Sequence, residues 1–204
     1  MIQVDKSLIP AGYFYVGVSG GVDSIAAAHL LHRLGYSFGI AHYNHNLRDQ
    51  NIKMQLAVEN FAKDFNIPIQ TETRIRVPIT GSEEAKLRED RLDFFKRLKS
   101  TIILCQHLDD AVESYVMNML RGNPEHTPIP TWTNLISSEI TRPFIVNRKQ
   151  AFIDYANNND LMKYVVEDET NLDNKYRRNW IRNEVLPQFK MFGLPKVVLK
   201  KFYL

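Results

Sequence analysis

The chain has 204 residues, of which 44% are hydrophobic and 24% are charged, a composition typical of a globular protein with one buried α/β core. No apolar stretch reaches the ~20 residues that cross a bilayer, and no secretory leader is evident, so we expect a cytoplasmic protein without a membrane partner. Cys105 is the only cysteine. A single thiol excludes an internal disulfide and argues against Cys-x-x-Cys metal sites and sulfur transfer by paired cysteines.

The net charge of +3 is distributed unevenly along the chain. From Lys175 onward there are eight Lys or Arg against the single Glu184, so this stretch carries +7 and the preceding residues carry −4. Such a basic end suits a polyanion, either nucleic acid or nucleotide, because bound phosphates release their counterions. A solvated basic helix face that keeps the protein soluble explains the charge equally well.

Strand-like runs alternate with helix-like segments in the first two thirds of the chain. The apolar pattern predicts strands at 13–18, 38–43, 67–73 and 101–106, and helices at 23–34, 48–65, 82–98 and 109–120. This alternation predicts an α/β fold with a doubly wound parallel sheet. Ligands of such sheets bind at the carboxyl ends of the strands, so we expect the functional motifs to converge there.

The last third reads as a loop followed by helices. The stretch 122–135 contains three prolines among several Thr and Asn, which predicts a surface loop, and apolar residues at helical spacing predict helices at 147–158 and 177–186. We therefore predict a nucleotide-binding α/β domain over 1–135 and a helical basic extension over 136–204 that completes the active site.

Residues 19–24, Ser-Gly-Gly-Val-Asp-Ser, join the first strand to the first helix. The two glycines let backbone N–H groups approach a ligand, the hydroxyls of Ser19 and Ser24 add donors, and the first helical turn favours an anion. The loop lacks the lysine of a Walker A motif, which argues against kinase or GTPase chemistry. It predicts a phosphate site, with an ordinary glycine-rich turn as the alternative.

The second and fourth strands also end in polar residues. His42, His45 and Arg48 follow the second strand, and their spacing favours contact with nucleotide or substrate over a metal site. His107 and a run of acids follow the fourth strand, with Asp109 and Glu113 four residues apart on one helix face. Carboxylates there could hold Mg²⁺ together with substrate phosphates. They could equally cap the helix, and we expect one acid to do so.

Two arginine pairs lie on later helices. Glu84, Arg88 and Arg91 occupy successive turns of the third helix, where spacing alone predicts surface ion pairs. Arg178 and Arg182 share a helix face beside Asn179, an arrangement that suits bidentate phosphate binding, with a solvated basic helix as the alternative.

In chain order, these blocks resemble the catalytic domain of the tRNA(Ile)-lysidine synthases, a family of PP-loop ATP pyrophosphatases, in a short form without the C-terminal domains of many members. The matching residues are 19–24, His42, Asn44, His45, Leu47, Arg48, Glu84, Arg88, Arg91, His107, Asp109, Asp110, Glu113, Arg121, Gly122, Arg142, Pro143, Glu167, Asp168, Asn171, Arg178, Asn179, Ile181, Arg182, Leu186 and Pro187. Departures from the family pattern are Asn46, Leu87, Ser114, Asn183 and the proline-rich stretch 123–130.

The resemblance implies an ATP-dependent ligase that forms a carbon–nitrogen bond. Such an enzyme adenylylates C2 of a wobble cytidine with release of pyrophosphate, and then replaces AMP with lysine. The implied cofactors are ATP and Mg²⁺, and the implied partners are tRNA(Ile) with a CAU anticodon and free lysine. A homodimer is left open.

The resemblance also implies roles for individual residues. ATP would contact Ser19, Gly20, Gly21, Asp23, Ser24, His42, His45 and Arg88. Mg²⁺ would be held by Asp23, Asp109 and Asp110. Catalysis would fall to Asp109, Asp110, Glu113, Arg178 and Arg182, with Glu113 or Asp110 as proton acceptor for the lysine amine. The substrate would contact His107, Arg121 and Asn179.

Two other functions stay open at this point. One is a PP-loop ligase that acts on a different base or amide acceptor, and the other is a nucleotide-dependent RNA-binding module without turnover. The acids Asp109, Asp110 and Glu113 favour an active enzyme, because a protein that only binds RNA has little need of them.

Overall fold

Six strands and eight α-helices form the part of the chain that the computed structural model describes, residues 1–123, 129–167, 174, 177–190 and 193–202. In chain order they are β1 (Phe14–Gly17), α1 (Val22–Arg33), β2 (Phe38–Asn44), α2 (Asp49–Asp64), β3 (Ile69–Thr73), α3 (Glu83–Arg97), β4 (Thr101–Leu104), α4 (Leu108–Leu120), β5 (Trp132–Asn134), β6 (Glu139–Thr141), α5 (Lys149–Asn158), α6 (Arg177–Trp180), α7 (Leu186–Lys190) and α8 (Leu194–Lys200). Short 3₁₀ turns lie at Lys6–Leu8 and Met162–Tyr164.

The strands form one sheet in the order β3-β2-β1-β4-β6-β5. All neighbouring pairs are parallel except β5 with β6. The predicted doubly wound parallel sheet is therefore confirmed, with one antiparallel strand at its edge. The chain extends the sheet in one direction from β1 to β3 and in the other from β4, so the topological switch point lies between β1 and β4.

Alternating side chains of the strands separate two apolar layers. Phe14 and Val16 of β1 and Ile103 of β4 face the layer that contains α1 and α5, whereas Tyr15 and Ile102 face the layer that contains α3. α1 and α5 thus pack on one face of the sheet and α3 packs on the other. The carboxyl edge of the sheet lies between the amino-terminal ends of helices that come from both faces.

A third apolar cluster attaches the C-terminal helices to α4. Val112 and Val116 of α4 are buried against Ile181, Leu186 and Val198. The helix predicted at 177–186 is not uniform: it begins as α6, continues as a π-helical turn over Ile181–Val185, and passes directly into α7. π-Helical turns occur often at functional sites, because the wider turn re-aims side chains. No helix in the described ranges is long and apolar enough to cross a lipid bilayer.

The structure corrects the prediction of an unbroken loop over 122–135, because Trp132–Asn134 forms β5 and pairs with β6. Glu139 supports this hairpin by accepting hydrogen bonds from Trp132 Nε1 at 2.8 Å and from Thr101 Oγ1 at 2.7 Å. Residues 124–128 of the predicted loop lie outside the described residues, as do Asp168 and Asn171. The division at 135/136 falls in the turn between β5 and β6, and the two-domain organisation stays a prediction.

Gly39 in β2 provides a test of the packing beneath the sheet's first strands. A Cβ at this position would lie 2.5 Å from the Tyr13 hydroxyl and 2.8 Å from Cε1 of Tyr15. We predict that Gly39→Ala lowers the free energy of unfolding by about 1–3 kcal/mol, because both rings must shift. Gly12→Ala is the matched control, since a Cβ there meets nothing within 4 Å. Urea denaturation followed by circular dichroism measures both variants, and equal stabilities would contradict this packing.

Candidate active site

A cavity of about 670 Å³ opens at the carboxyl ends of β1, β2 and β4, at the topological switch point of the sheet. Its walls come from the loop after β1, the end of β2, α3, the start of α4 and the C-terminal helices. The side chains that matter for its chemistry are Ser19, Asp23, His42, Arg91, Asp110 and Arg182. The sequence motifs therefore converge at the edge where parallel sheets bind their ligands.

The loop 19–24 is held together from within. Ser24 is buried, and its hydroxyl donates to the Gly21 carbonyl at 2.9 Å and accepts from the Ser19 N–H at 3.2 Å. Gly20 has a positive φ of 96°, and its carbonyl accepts a hydrogen bond from the Val166 N–H at 3.0 Å. Ser24 and Gly20 thus hold the loop in shape, while Ser19 and Gly21 line the cavity. The loop is not blocked by its own side chains.

His42 faces the cavity with a defined hydrogen-bonding role. Its Nδ1 lies 2.8 Å from the Val18 carbonyl, which can only accept, so Nδ1 carries the proton. Burial lowers the pKa of His42, which keeps the ring neutral. Its Nε2 is shielded from solvent and has no partner among the described residues. A neutral ring in this state offers the cavity a hydrogen-bond acceptor, which suits a ligand hydroxyl or amine better than a phosphate.

His45 is the second unsatisfied imidazole at this edge. Burial, and then the charge of Arg91 and the neighbouring His42, lower the pKa of His45 to about 4. Its Nδ1 is shielded from solvent and makes no hydrogen bond in the described chain. Like His42, it is therefore a neutral group available to a ligand rather than a fixed cation.

Asp23 and Asp110 flank His107 at the start of α4. His107 and Asp110 form a capping box, in which His107 Nδ1 accepts from the Asp110 N–H at 3.3 Å and Asp110 Oδ2 accepts from the His107 N–H at 3.1 Å. One acid thus caps the helix, as expected. Asp23 Oδ1 is shielded from solvent without a hydrogen bond, 3.5 Å from His107 Nε2. Burial lowers the pKa of His107, but the interaction with Asp23 and the nearby acids outweigh it and raise the pKa.

Asp109 is turned away from the other acids and toward α5. Its carboxylate accepts from Arg148 Nε at 3.0 and 3.1 Å and lies 2.7 Å from Arg148 Nη2, and it also accepts from the Lys149 N–H at 2.8 Å. Burial opposes its ionisation, but Arg148 and the Lys149 amide outweigh it and lower the pKa of Asp109. Both oxygens are therefore occupied in attaching α4 to the first turn of α5.

Glu113 lies behind the cavity, with its side chain only 1% exposed. Arg178 Nε donates to Oε2 at 2.8 Å, and Arg182 donates to Oε1 at 2.6 Å and to Oε2 at 2.9 Å. Arg178 also donates to Asp110 Oδ1 at 3.1 Å. Glu113 is thus the counter-ion that fixes the two arginines on the cavity wall. Burial opposes the charge of Arg178, but Asp110 and Glu113 outweigh it and raise the pKa of that arginine.

A second cavity of about 240 Å³ adjoins the first at His45 and Asn51, which line both. Its walls carry cations at Arg48 and Arg178, an anion at Glu84, and the neutral amide of Asn179. Arg121 is not part of either cavity, because it follows the last residue of α4 and is exposed, one helix length of about 20 Å from the site. Arg88 lies exposed on α3, one turn before Arg91.

Sequence reasoning gave no role at the site to several residues that shape it, although it matched Arg91 to the family pattern. Arg91 lines the cavity with its Nε shielded and unbonded among the described residues, Arg148 holds Asp109, and Val166 holds the loop glycine. The three-residue spacing from Arg88 could have placed Arg91 on the same helix face. No local sequence pattern predicts the roles of Arg148 and Val166, because their hydrogen-bond partners lie 39 or more residues away in the chain.

No group of three or more His, Cys, Asp and Glu side chains within the described ranges lies close enough to hold a metal ion alone. Asp23 and Asp110 are the acids that line the cavity at the start of α1 and α4, next to the glycine loop. An open sheet that presents such a loop at its switch point defines a nucleotide-binding α/β protein.

The family model for the PP-loop domain matches residues 3–189, and the chain belongs to this family. The resemblance of the sequence motifs is thereby confirmed. The chain is similar to the tRNA(Ile)-lysidine synthase of Exiguobacterium sibiricum, at 31% identity over 88% of this chain and 44% of the relative. It is similar to that of Thermotoga maritima at 33% identity, over 86% of this chain and 44% of the relative. The chain thus spans less than half the length of these curated relatives.

A solved structure supports the fold. The U34-tRNA thiolase NcsA from Methanococcus maripaludis aligns with a TM-score of 0.78 over 96% of this chain and 72% of its own, at 13% identity. At this identity the similarity shows that the two chains share an architecture. The family and the fold together identify the chain as a PP-loop protein related to tRNA-modifying enzymes.

We predict that Asp109→Asn lowers the free energy of unfolding by about 1–2 kcal/mol, because Arg148 loses a charged partner and α5 loses an N-terminal contact. Asp154→Asn on α5 is the control, since Asp154 accepts a hydrogen bond from exposed Gln150 on its own helix. Urea denaturation of both variants measures the difference. An Asp109 variant as stable as the control would show that this contact does not hold the two helices together.

The lowered pKa of His45 predicts a pH-dependent stability. The unfolded ring takes up a proton below its ordinary value of 6.5, whereas the folded ring stays neutral to about 4. The contribution of His45 to the free energy of unfolding is therefore full above pH 6.5 and is lost as the pH falls toward 4. His107, whose pKa is raised in the folded protein, changes the free energy of unfolding in the opposite direction. Melting temperatures measured between pH 7.5 and pH 4 should fall less for His45→Gln than for the wild type. Parallel curves would contradict the assignment.

Proposed function

We propose that the protein is an ATP-dependent ligase that modifies the wobble cytidine of tRNA(Ile). In this reaction the C2 oxygen of cytidine is adenylylated with release of pyrophosphate, and the amine of free lysine then displaces AMP. The observation that carries the proposal is the open glycine loop at the switch point, in a cavity where His42, His45, Arg91 and Asp23 all present unsatisfied polar atoms among the described residues. Buried polar groups without partners are rare in folded proteins, so a polar ligand is expected here.

The loop and His42 fit opposite ends of ATP. The amides of the first turn of α1 and the Ser19 hydroxyl suit the terminal phosphates, because the N–H groups at the start of a helix and the helix dipole favour an anion. The acceptor nitrogen of His42 suits a ribose hydroxyl or the exocyclic amine of adenine. The internal hydrogen bonds of Ser24 keep the loop in the shape that this binding needs, so we assign Ser24 to the support of the loop rather than to a phosphate.

The acids of the cavity fit a magnesium ion. Mg²⁺ takes one or two carboxylates and completes its shell with phosphate oxygens and water, and Asp23 and Asp110 would supply those carboxylates. The unbonded Oδ1 of Asp23 is a ready oxygen donor. When bound, the ion would neutralise the phosphate charge that builds up during adenylyl transfer. Asp109 fits this role less well, because it is turned toward Arg148 and does not line the cavity.

Asp110 is the better placed of the two acids considered as proton acceptor for the lysine amine. It lines the cavity, whereas Glu113 is buried behind Arg178 and Arg182. Glu113 instead holds both guanidinium groups in place, so that Arg182 can stabilise negative charge on the transferred phosphate. The two acids therefore have separate roles, because Asp110 faces the reactants and Glu113 orients the arginines.

We assign free lysine to the second cavity. An amino acid zwitterion needs both a cation and an anion on its walls, and Arg178 and Glu84 supply them. Asn179 adds an amide that can bind the reacting base or the amino acid. The two cavities meet at His45, so the amine and the activated cytidine can approach each other there. Arg121, exposed at the far end of α4, is available only to a distant part of the tRNA.

A lysine-transfer assay tests the proposal directly. Purified protein, ATP, Mg²⁺ and radiolabelled lysine are incubated with a tRNA(Ile) transcript that carries the CAU anticodon. We expect label in the tRNA with one AMP and one pyrophosphate released per lysine, and no label when the wobble cytidine is replaced by uridine. Asp23→Asn should slow the reaction by about 100-fold or more with an unchanged melting temperature. Asp93→Asn, which removes a surface contact with Lys96, is the matched control.

The remaining outcomes separate the alternatives. Pyrophosphate release with total RNA but no lysine transfer would replace the proposed acceptor by another base or amide. If no acceptor supports pyrophosphate release, the enzymatic proposal is overturned and a binding module remains. Sedimentation of the purified protein determines whether a homodimer forms, which the sequence left open.

A further inference from the structure

Three arginines come together at the carboxyl edge of the sheet without an acidic partner among the described residues. Arg88 and Arg91 lie one turn apart on α3, and Arg142 follows β6 directly. They differ in depth: Arg88 is exposed, Arg91 is half-buried and Arg142 is only 3% exposed. The three side chains thus range in depth from the solvent-exposed surface to the interior.

Arg91 is the least satisfied of the three. Its Nε is shielded from solvent and has no hydrogen-bond partner among the described residues, and its side chain lines the main cavity. Burial, and then the nearby positive charges of Arg88 and Arg178, lower the pKa of Arg91 to about 10, so the group stays charged at neutral pH. A shielded cation with cations as neighbours is costly unless an anion binds it.

Arg142 adds a second cation that no acid of the described chain neutralises. Its hydrogen bonds go to uncharged acceptors, namely Gln106 Oε1, the Pro130 carbonyl and Thr133 Oγ1. Burial, followed by the charges of Arg88 and Arg91, lowers its pKa to about 10. The contrast with the rest of the site is clear, since Arg148 pairs with Asp109, and Arg178 and Arg182 pair with Glu113.

These arginines are separate from the glycine loop. Phe94 and Phe95, three and four residues after Arg91, pack in the apolar layer of α3, so Arg91 lies on the side of α3 that faces the sheet. The loop 19–24 begins α1, which packs on the opposite face of the sheet. Arg91 therefore approaches the cavity from across the carboxyl edge, opposite the site proposed for the terminal phosphates of ATP.

We propose that Arg88, Arg91 and Arg142 form a second phosphate site, which binds a phosphodiester of the acceptor RNA next to the nucleotide that reacts. This inference rests on the proposed function, because it assumes that an RNA enters the cavity opposite ATP. An RNA backbone fits the observations better than a further ATP phosphate does. The exposed Arg88 extends the positive charge to the solvent, as a polymer requires, and Arg182 of the basic C-terminal helices lines the same cavity as Arg91.

The test compares RNA binding and ATP binding in variants of Arg91. We expect Arg91→Gln to weaken binding of the CAU-anticodon tRNA(Ile) transcript about tenfold and to reduce the slope of log K against log salt concentration by about 0.7–0.9. ATP affinity should not change. The melting temperature should stay the same or rise, because a shielded charge without an acidic partner among the described residues is removed. Anisotropy of labelled tRNA at several salt concentrations and calorimetry with ATP provide these measurements.

Two further variants sharpen the comparison. Arg97→Gln on the same helix is the matched control, because Arg97 pairs with Glu72 at the far end of α3 and should bind tRNA like the wild type. Arg91→Lys keeps the charge but loses the planar fork, so it should retain the salt dependence while binding more weakly. It also keeps the test valid if Arg91→Gln does not fold.

Each result decides the inference. Loss of ATP affinity with unchanged tRNA binding would assign the arginines to the nucleotide and overturn the proposal. Unchanged binding of both ligands, or a wild type that binds no tRNA, would also overturn it. Lysine transfer is measured separately: a wild type that binds tRNA through Arg91 but transfers no lysine contradicts the proposed function and leaves this site standing.

Discussion

The buried carboxylate of Glu113 holds the two halves of the candidate active site together. It is 1% exposed, and it accepts hydrogen bonds from both Arg178 and Arg182, which belong to helices more than sixty residues further along the chain. A carboxylate this deeply buried needs such partners, because an unpaired one would cost about 3–5 kcal/mol. The pairing attaches the basic C-terminal helices to α4, and it also determines where their guanidinium groups point. Stability and the charge of the cavity wall thus depend on one contact.

The other acids at the start of α4 are fixed in a similar way. Asp109 joins α4 to α5 through Arg148, and Asp110 caps its own helix while part of it remains in the cavity. Three carboxylates within five residues therefore have three different environments. On the other side of the cavity, the Val166 N–H binds the Gly20 carbonyl, so a late segment of the chain supports the first loop. Segments distant in the chain thus fix Asp110, Arg182 and the glycine loop at the cavity, which explains how loop residues can present an ordered site.

Sequence patterns predicted the parts of the structure that depend on local interactions. The first four strands and the helices α1 to α5 follow from apolar periodicity, and the glycine loop follows from its position between a buried strand and a helix. The hairpin of β5 and β6 escaped detection because each strand has three residues, too few for a period of two to stand out, and its pairing depends on β4 and Glu139. The roles of Asp109 and Glu113 were ambiguous for a related reason. A carboxylate on a helix face has the same sequence pattern whether it binds an ion, a substrate or an arginine.

The sequence by itself determined the class of fold, the position of the glycine loop and the family to which the chain belongs, because each is carried by the order and spacing of neighbouring residues. Only the tertiary structure decided which charges are neutralised and which are left over. Glu113 forms ion pairs with two arginines and Asp109 with one, whereas Arg91 and Arg142 form no ion pair with an acid among the described residues. The strength of the interaction between two charged groups depends on their distance and their burial in the folded structure. The residues that come together at the edge of the sheet lie far apart in the chain, so no local sequence pattern predicts their contacts.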